Sequence, residues 1–241
     1  MMFRVLGVGG YKDSGKTEVV VGLVRELVGR GYRVGTVKHL SRHSMDRVGT
    51  DTWKHGEAGS EVVVAVGEEE VAVRERKGKP ELREVLLSLR GLDFVILEGF
   101  KREEVVKVMV ARREGEAEEL DDDFTAAFVG YGVKGKPVFP FGAYRRLADL
   151  VVERATTPTG GLDCGECGFG TCREFLRAAA SGRKGRRECA ALMGGVELWV
   201  DGRRIPLNPF VRRIVSRTIL GMLSSLKGGR GREVELRIRR G

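Results

Sequence analysis

The stretch GYKDSGKT, residues 10–17, decides the fold of this chain because it matches the pattern G-x-x-x-x-G-K-[ST] at every fixed position. The residues before it, FRVLGVG at 3–9, predict a short buried strand, and the apolar spacing from Thr17 to Arg30 predicts a helix. In such a loop, backbone N–H groups point inward and cradle phosphate oxygens, and the helix N-terminus adds a favourable dipole. The sequence therefore predicts a phosphate-binding loop of the Walker A type.

The side chains of this loop have separate expected roles. Gly10 and Gly15 let the backbone curl tightly. We expect Lys16 to reach the β- and γ-phosphates of a nucleotide, and the Thr17 hydroxyl to help hold Mg²⁺.

The stretch DFVILEG, residues 93–99, supplies an acidic partner for this loop. Four apolar residues predict a buried strand, and Glu98 stands at its carboxyl end, the edge where α/β sheets bind ligands. We expect Glu98 to hold or orient the magnesium ion; the alternative is a charged residue that simply ends a strand. The guanine-reading tetrapeptide [NT]-K-x-D is absent from the chain, so these residues leave the choice between GTP and ATP open.

Predicted strands alternate with predicted helices as far as residue 155, which indicates an α/β fold with a mostly parallel, two-sided sheet. We expect a P-loop NTPase-like domain over residues 1–155, with paired strands at 61–67 and 70–75. An acidic loop at 114–123 and a helix at 142–153 complete it. The composition of ATTPTGGL, residues 155–162, predicts a linker to the rest of the chain.

The four cysteines all follow this segment, at Cys164, Cys167, Cys172 and Cys189. Four thiolates suit either a [4Fe–4S] cluster or a tetrahedral Zn²⁺ ion. Structural zinc sites usually carry a second short Cys pair, which is missing here, and three cysteines fall on one Gly-rich turn. We therefore predict a four-cysteine iron–sulfur module over residues 163–192, with Zn²⁺ as the alternative and a structural or a redox role both open.

The last part of the chain, residues 195–241, predicts a small α+β unit. An Asp-Gly turn suggests a hairpin, Asn208-Pro209 begins a helix with one apolar stripe, and EVELRIRR at 233–240 alternates as a strand does. Residues 1–150 hold 25 basic and 25 acidic residues, and the remaining 18 basic and 9 acidic residues follow them. The whole net charge of +9 therefore lies in the C-terminal part, which indicates either an anionic partner or a solvated basic surface.

Apolar runs are short, and none approaches the roughly 18 residues of a membrane-spanning helix. The first residues also lack the apolar core of a signal peptide. We expect a cytoplasmic protein that does not enter a membrane. Disulfides between the cysteines do not fit that compartment.

Several further strings are shared with a known family. GVGGYKDSGKT, GTVKH, GTDTWKHGEAG and DFVILEGFKREEVVKVMVAR resemble the molybdopterin-guanine dinucleotide biosynthesis adapter (MobB) family over roughly residues 2–155. The resemblance implies a P-loop fold that binds GTP and Mg²⁺ and assists the guanylyltransferase that attaches GMP to molybdopterin. It carries phosphate binding onto Gly10, Asp13, Ser14, Gly15, Lys16 and Thr17, and metal association onto Glu98 and Asp51. The family often has Ser-Asp where this chain has Gly130-Tyr131.

The cysteine string also resembles a known unit. CGECGFGTC followed by a later Cys is similar to a small iron–sulfur domain written C-G-x-C-G-x-x-x-C…C. The two resemblances together predict a GTP-binding adapter in molybdenum or tungsten cofactor biosynthesis, at most a slow GTPase, with a cofactor-accepting apoenzyme or molybdopterin among its further partners and homodimerisation open. The alternative is a P-loop ATPase that carries iron–sulfur clusters or is gated by their redox state. Nucleic-acid binding is disfavoured because few aromatic residues are available for stacking.

Overall fold

The computed structural model of the chain describes residues 2–40, 46–76, 81–185, 187–193, 195–201, 203–227, 234–236 and 238. Strands and helices alternate through the first two thirds of the chain, as the sequence predicts. The strands are β1 (Arg4–Gly10), β2 (Val34–Lys38), β3 (Val62–Val66), β4 (Val71–Glu75), β5 (Phe94–Glu98), β6 (Lys107–Ala111), β7 (Thr125–Gly130), β8 (Val138–Phe139), β9 (Leu198–Val200) and β10 (Arg203–Ile205). The helices are α1 (Lys16–Gly29), α2 (Asp51–Glu57), α3 (Leu82–Ser88), α4 (Glu116–Leu120), α5 (Tyr144–Arg154), α6 (Cys172–Ala180) and α7 (Pro209–Ser224).

The main sheet has six parallel strands in the order β2-β5-β1-β6-β7-β8. This confirms the predicted α/β class with a parallel sheet. β1 lies between β5 and β6, so the loop that follows β1 has one of these strand ends on each side. Parallel strands end at the same edge, so Gly10, Glu98 and Ala111 all lie at the carboxyl edge of the sheet.

Both faces of the sheet are covered, as its continuous apolar strands require. Alternate residues of β1 and β5 point to opposite faces. Leu6 and Ile96 pack with α1, α5 and α6 in one core, and Val5 and Val95 pack with α3 in another. Strands β3 and β4 form a separate antiparallel ribbon, as expected.

Two short elements were not predicted. The acidic segment 114–123 contains α4, which buries Ala117 and Leu120 against Met109 and Phe128. β8 adds two residues to the edge of the sheet. The helix predicted over 80–90 spans Leu82–Ser88, and Pro80 lies outside the described residues, as does half of the strand predicted over 233–240.

Most of the segment whose composition predicts a linker is buried, although Gly161 and Leu162 at its end are exposed. Thr156 and Thr157 are each 2% exposed or less, and the Thr156 carbonyl accepts a hydrogen bond of 2.6 Å from the backbone N–H of Val5. Further along, Phe175 and Leu176 of α6 join the main core beside β7. The cysteine segment is therefore packed onto the sheet, although the division into three domains stays a prediction.

The C-terminal hairpin and helix form as predicted, and the Asn208 side chain accepts a hydrogen bond from Val211 N–H to begin α7. No residue of α7 is buried, and its apolar stripe is exposed at Phe210 and Ile214. One helix and a two-stranded hairpin have too little surface to enclose a core of their own. Within the described part of the chain, no helix is long and apolar enough to cross a membrane.

A buried ion pair at the amino edge of the sheet provides a test of this packing. Lys107 is 1% exposed, and its ammonium donates to Asp122 at 2.7 Å and to the Lys101 carbonyl at 2.9 Å. Asp122→Ala leaves the buried ammonium without its counter-charge, and we expect the free energy of unfolding to fall by about 3 kcal/mol. Asp123→Ala, beside it, removes only half-exposed pairs with arginines of α6, and we expect a loss below about 1 kcal/mol. Guanidinium denaturation of the full chain measures the free energy of unfolding of both variants. Equal losses of stability would contradict the importance of the pair between Lys107 and Asp122.

Candidate functional site

The phosphate loop connects β1 to α1 and has the backbone that its glycines were expected to allow. Gly10 and Gly15 have φ values of +149° and +92°. A Cβ on Gly10 would lie 2.6 Å from the Val110 carbonyl oxygen and 2.7 Å from Ser14 Oγ, so only glycine fits there. Ser14 Oγ is buried and has no hydrogen-bond partner among the described residues. An unsatisfied buried hydroxyl is costly, and a phosphate oxygen held in the loop is a suitable acceptor for it.

Lys16 lies in the first turn of α1, and its ammonium donates to the Tyr11 carbonyl across the loop. Burial lowers the pKa of Lys16; the neighbouring Glu98 and Asp13 oppose the fall, and Lys101 adds to it. The Lys16 ammonium is thus partly desolvated within the loop, and an anionic ligand there would offset that cost.

The predicted acidic partner is in place. The Thr17 hydroxyl donates to Glu98 Oε1 at 2.7 Å, and the Lys38 ammonium lies 2.9 Å from the same oxygen. Glu98 is 8% exposed, so its carboxylate is fixed at the end of β5 rather than extended into solvent. β2 and β5 run in parallel with Lys38 opposite Glu98, and this register brings the lysine to the site. Two hard oxygen donors beside the phosphate loop match the ligands that Mg²⁺ prefers.

Arg112 borders the loop from the other side. It follows β6, its Nε donates to the Ser14 carbonyl at 3.0 Å, and its Nη2 lies 3.4 Å from Glu18 Oε2. Its guanidinium carbon is 4.5 Å from the centre of the Phe141 ring. A guanidinium is therefore held against the phosphate loop by three separate contacts.

Asp51 is the member of the predicted site that the structure does not bring to the loop. It lies in the first turn of α2, where Lys54 donates to its carboxylate at 3.0 Å, and its side chain is 87% exposed. Within the described residues, no hydrogen bond or ion pair connects Asp51 with Thr17 or Glu98. A role for Asp51 at the metal stays a prediction.

The cysteine segment packs beside the amino half of β1. Cys189 is buried with Cys164 partly covering the same small apolar cluster, and the Cys189 backbone N–H donates to Thr157 Oγ1 at 2.7 Å. Cys172 begins α6, where Thr171 and Glu174 form a capping box. Among the described residues, no three His, Cys, Asp or Glu side chains converge closely enough to hold one metal ion.

One backbone N–H donates to the Cys189 sulfur, and others lie near the Cys172 thiol. The Gly160 N–H donates to Cys189 Sγ at 3.2 Å. Burial raises the pKa of the Cys172 thiol, and the backbone N–H groups of Asp163 and Gly161 oppose that rise. The residues present thus fit a thiolate-ligated cluster in their chemistry, because such N–H groups hydrogen-bond to thiolate and cluster sulfurs.

Comparisons with known proteins agree with both halves of this description. The model of the family described as Molybdopterin guanine dinucleotide synthesis protein B (MobB) matches residues 5–130, more than half of the chain. The chain belongs to the MobB family. A second family model, described as "Putative Fe-S cluster", matches residues 161–191.

Relatives of the family resemble the chain to different extents. A Methanocaldococcus jannaschii protein named "Putative molybdopterin-guanine dinucleotide biosynthesis adapter protein" is 33% identical over 93% of this chain and 92% of its own length. The Haemophilus influenzae adapter protein is 37% identical, over 61% of this chain and 86% of its own length. The crystal structure of Bacillus subtilis MobB shares the fold, with a TM-score of 0.53 at 23% identity, over 62% of this chain and 96% of that one. A crystal structure of molybdopterin-guanine biosynthesis protein B gives 0.52 at 26% identity, over 61% and 96%.

The structure thus places most of the residues predicted for a phosphate-binding site around one loop. Lys38, Lys101 and Arg112 were not among the predicted site residues, although all three lie near it. The common signal is a basic residue at or just after the carboxyl end of a strand. That signal has meaning only when the strand order places those ends beside β1.

The loop geometry makes a specific prediction for the glycines. Gly10→Ala places a Cβ against the Val110 carbonyl at a positive φ, and we expect about 1–3 kcal/mol of lost stability together with weakened anion binding. Gly29→Ala, at the end of α1, meets no atom within 4 Å and serves as the matched control. We expect the control to be as stable as the wild type or up to about 1 kcal/mol more stable. Chemical denaturation with and without inorganic phosphate measures both; a Gly10 variant that behaves as the control does would contradict the proposed loop.

Proposed function

We propose that the chain binds Mg²⁺–GTP at residues 10–17 and acts as an adapter for the guanylyltransferase that attaches GMP to molybdopterin. The observation that carries the nucleotide part is the contact between Thr17 and Glu98, which assembles two magnesium-type oxygen ligands beside the phosphate loop. Family membership and the names of the relatives support the pathway. Those names give an adapter in this biosynthesis, and the guanylyltransferase as its partner is part of our proposal.

The residues of the site divide the work of holding a nucleotide. The loop amides, the Ser14 hydroxyl and Lys16 bind phosphate oxygens, while Thr17 and Glu98 hold the metal ion. Mg²⁺ would neutralise charge on the terminal phosphates. Lys38, paired with Glu98, keeps the carboxylate oriented towards the loop. Of these residues, Arg112 is the arginine that borders the loop, and it lies on the side away from Glu98. This arrangement supports nucleotide binding more than rapid nucleotide hydrolysis.

A titration of the full chain tests nucleotide binding. We expect wild-type protein to bind Mg²⁺–GTP in isothermal titration, and Lys16→Ala to lose the binding because the ammonium that faces the phosphates is removed. Lys12→Ala is the matched control, since Lys12 is an exposed lysine of the same loop. The proposal fails if the wild-type chain binds no nucleotide, or if both variants bind equally well.

We further propose that Cys164, Cys167, Cys172 and Cys189 hold a [4Fe–4S] cluster. The buried Cys189, the Gly160 N–H that donates to its sulfur and the matching family model support this assignment. The cluster would supply either redox chemistry or a covalent cross-link for a segment that has a small core of its own. The packing of the cysteine segment against β1 also favours a second candidate function. In that function the chain is a P-loop NTPase whose nucleotide site is coupled to a cluster.

Anaerobic purification tests the cluster. We expect a brown protein with a broad absorption band at the violet end of the visible spectrum and about four iron and four sulfide per chain. We expect Cys189→Ser to lose the iron, the sulfide and the absorption band. Arg187→Lys, beside the same cysteine, is the control and keeps its charge. A colourless protein with one zinc ion per chain would overturn the iron assignment in favour of Zn²⁺. Cluster transfer to an apoprotein that responds to ATP and not to GTP would favour the second candidate function over the adapter.

A further inference from the structure

We infer that Arg112 reads the base of the bound nucleotide and selects guanine, an inference that rests on the nucleotide-binding function proposed above. The chain has no [NT]-K-x-D sequence to do this. The structure instead presents a guanidinium, fixed in position, at the side of the loop where the nucleoside must lie.

The position of the nucleoside follows from the two ends of the site. Thr17 and Glu98 mark the metal and the terminal phosphates, and they lie on the β5 side of β1. The nucleoside then extends over the other side of β1, above the ends of β6, β7 and β8. Arg112 is the residue that follows the first of these strands.

On that side of the loop, Arg112 and Phe141 lie against the phosphate loop, and Phe141 also lies against the end of β7. A Cβ on Gly15 of the loop would lie 2.8 Å from Arg112 Nη2 and 3.0 Å from the Phe141 ring. A Cβ on Gly130, at the end of β7, would lie 3.2 Å from the same ring. The absence of a side chain at Gly15 thus lets Arg112 and Phe141 pack directly against the loop backbone, and Gly130 does the same for Phe141 at the end of β7, next to the half-exposed Tyr131.

The guanidinium is oriented before any ligand arrives. Its Nε donates to the Ser14 carbonyl, its Nη2 faces Glu18, and its central carbon lies 4.5 Å from the centre of the Phe141 ring. Glu18 is itself held by the Tyr144 hydroxyl at 2.7 Å. A guanidinium has five N–H donors, and those not directed at Ser14 and Glu18 have no partner within the described part of the chain. The side chain is 49% exposed, so these donors are open to a ligand.

A pair of N–H donors in a rigid fork distinguishes the two purines. Guanine presents two adjacent acceptors, O6 and N7, which match an arginine fork. Adenine presents N7 beside the N6 amino group, which is a donor and leaves one arm of the fork without an acceptor. An arginine on the phosphate chain would instead strengthen GTP and ATP binding equally, because that part of the two ligands is the same.

Isothermal titration with three magnesium nucleotides tests this reading: GTP, ATP and 7-deaza-GTP, which keeps O6 but lacks N7. We expect wild-type protein to bind GTP about tenfold more tightly than the other two, within a range of roughly 5- to 100-fold. In Arg112→Gln and Arg112→Lys, we expect GTP affinity to fall to the level of 7-deaza-GTP, with ATP affinity changed by less than about threefold. Arg112→Lys keeps the charge and removes the fork, and Arg113→Gln is the exposed neighbouring control.

The outcomes separate this inference from the function on which it rests. Equal losses for GTP and ATP in the Arg112 variants place the guanidinium on the phosphates and overturn base reading. Equal wild-type affinity for GTP and 7-deaza-GTP overturns it without any variant, so a misfolded mutant does not decide the result. A wild-type chain that binds none of the three nucleotides refutes the proposed function itself.

Discussion

Strand β1 is the constraint on which the rest of the structure depends, because both chemical centres are attached to it. Its carboxyl end turns at Gly10 into the phosphate loop, where a Cβ would meet the backbone of β6. Its amino half holds Thr156 through the Val5 amide, and Thr157 in turn accepts from the Cys189 amide. Val5 and Gly10 are separated by roughly 16 Å along the strand, at about 3.3 Å per residue. The phosphate loop and the cysteine segment therefore lie near opposite ends of the same strand, β1.

The sequence predicts the parallel sheet well because its signals are local. GYKDSGKT and the residues on either side of it contain an apolar strand, a Gly-rich turn and a helical repeat. Each of these is recognised from neighbouring residues alone. The burial of residues 155–160 cannot be recognised in this way. Small and polar residues suggest a linker, and only a tertiary partner, here the backbone N–H of Val5, makes it favourable to bury them. The exposed stripe of α7 is the converse case: its helical pattern is correct, but a pattern does not supply a surface to pack against.

The site shows the same division between local and tertiary information. Thr17 and Glu98 are predicted because a motif and a strand end each identify one of them. Lys38 and Arg112 reach the loop only through the strand order β2-β5-β1-β6, which places their strand ends on either side of it. Asp51 was carried over by position alone; its carboxylate pairs with Lys54 in the first turn of α2, and its role at a metal stays a prediction.

The strand order also determines how the two centres are able to influence each other. α6 shares its core with α1, so the cysteine segment and the helix that follows the phosphate loop pack through the same buried side chains. Coupling between sites requires an element with two states that both ligands bias. A close-packed core is not continuously deformable, and it transmits a change chiefly by losing stability as a unit. Loss of a metal from the cysteines would thus act on Lys16 by lowering the stability of the core that supports α1. A nucleotide that binds the folded loop would raise the same stability, so each ligand would favour retention of the other without a dedicated switch.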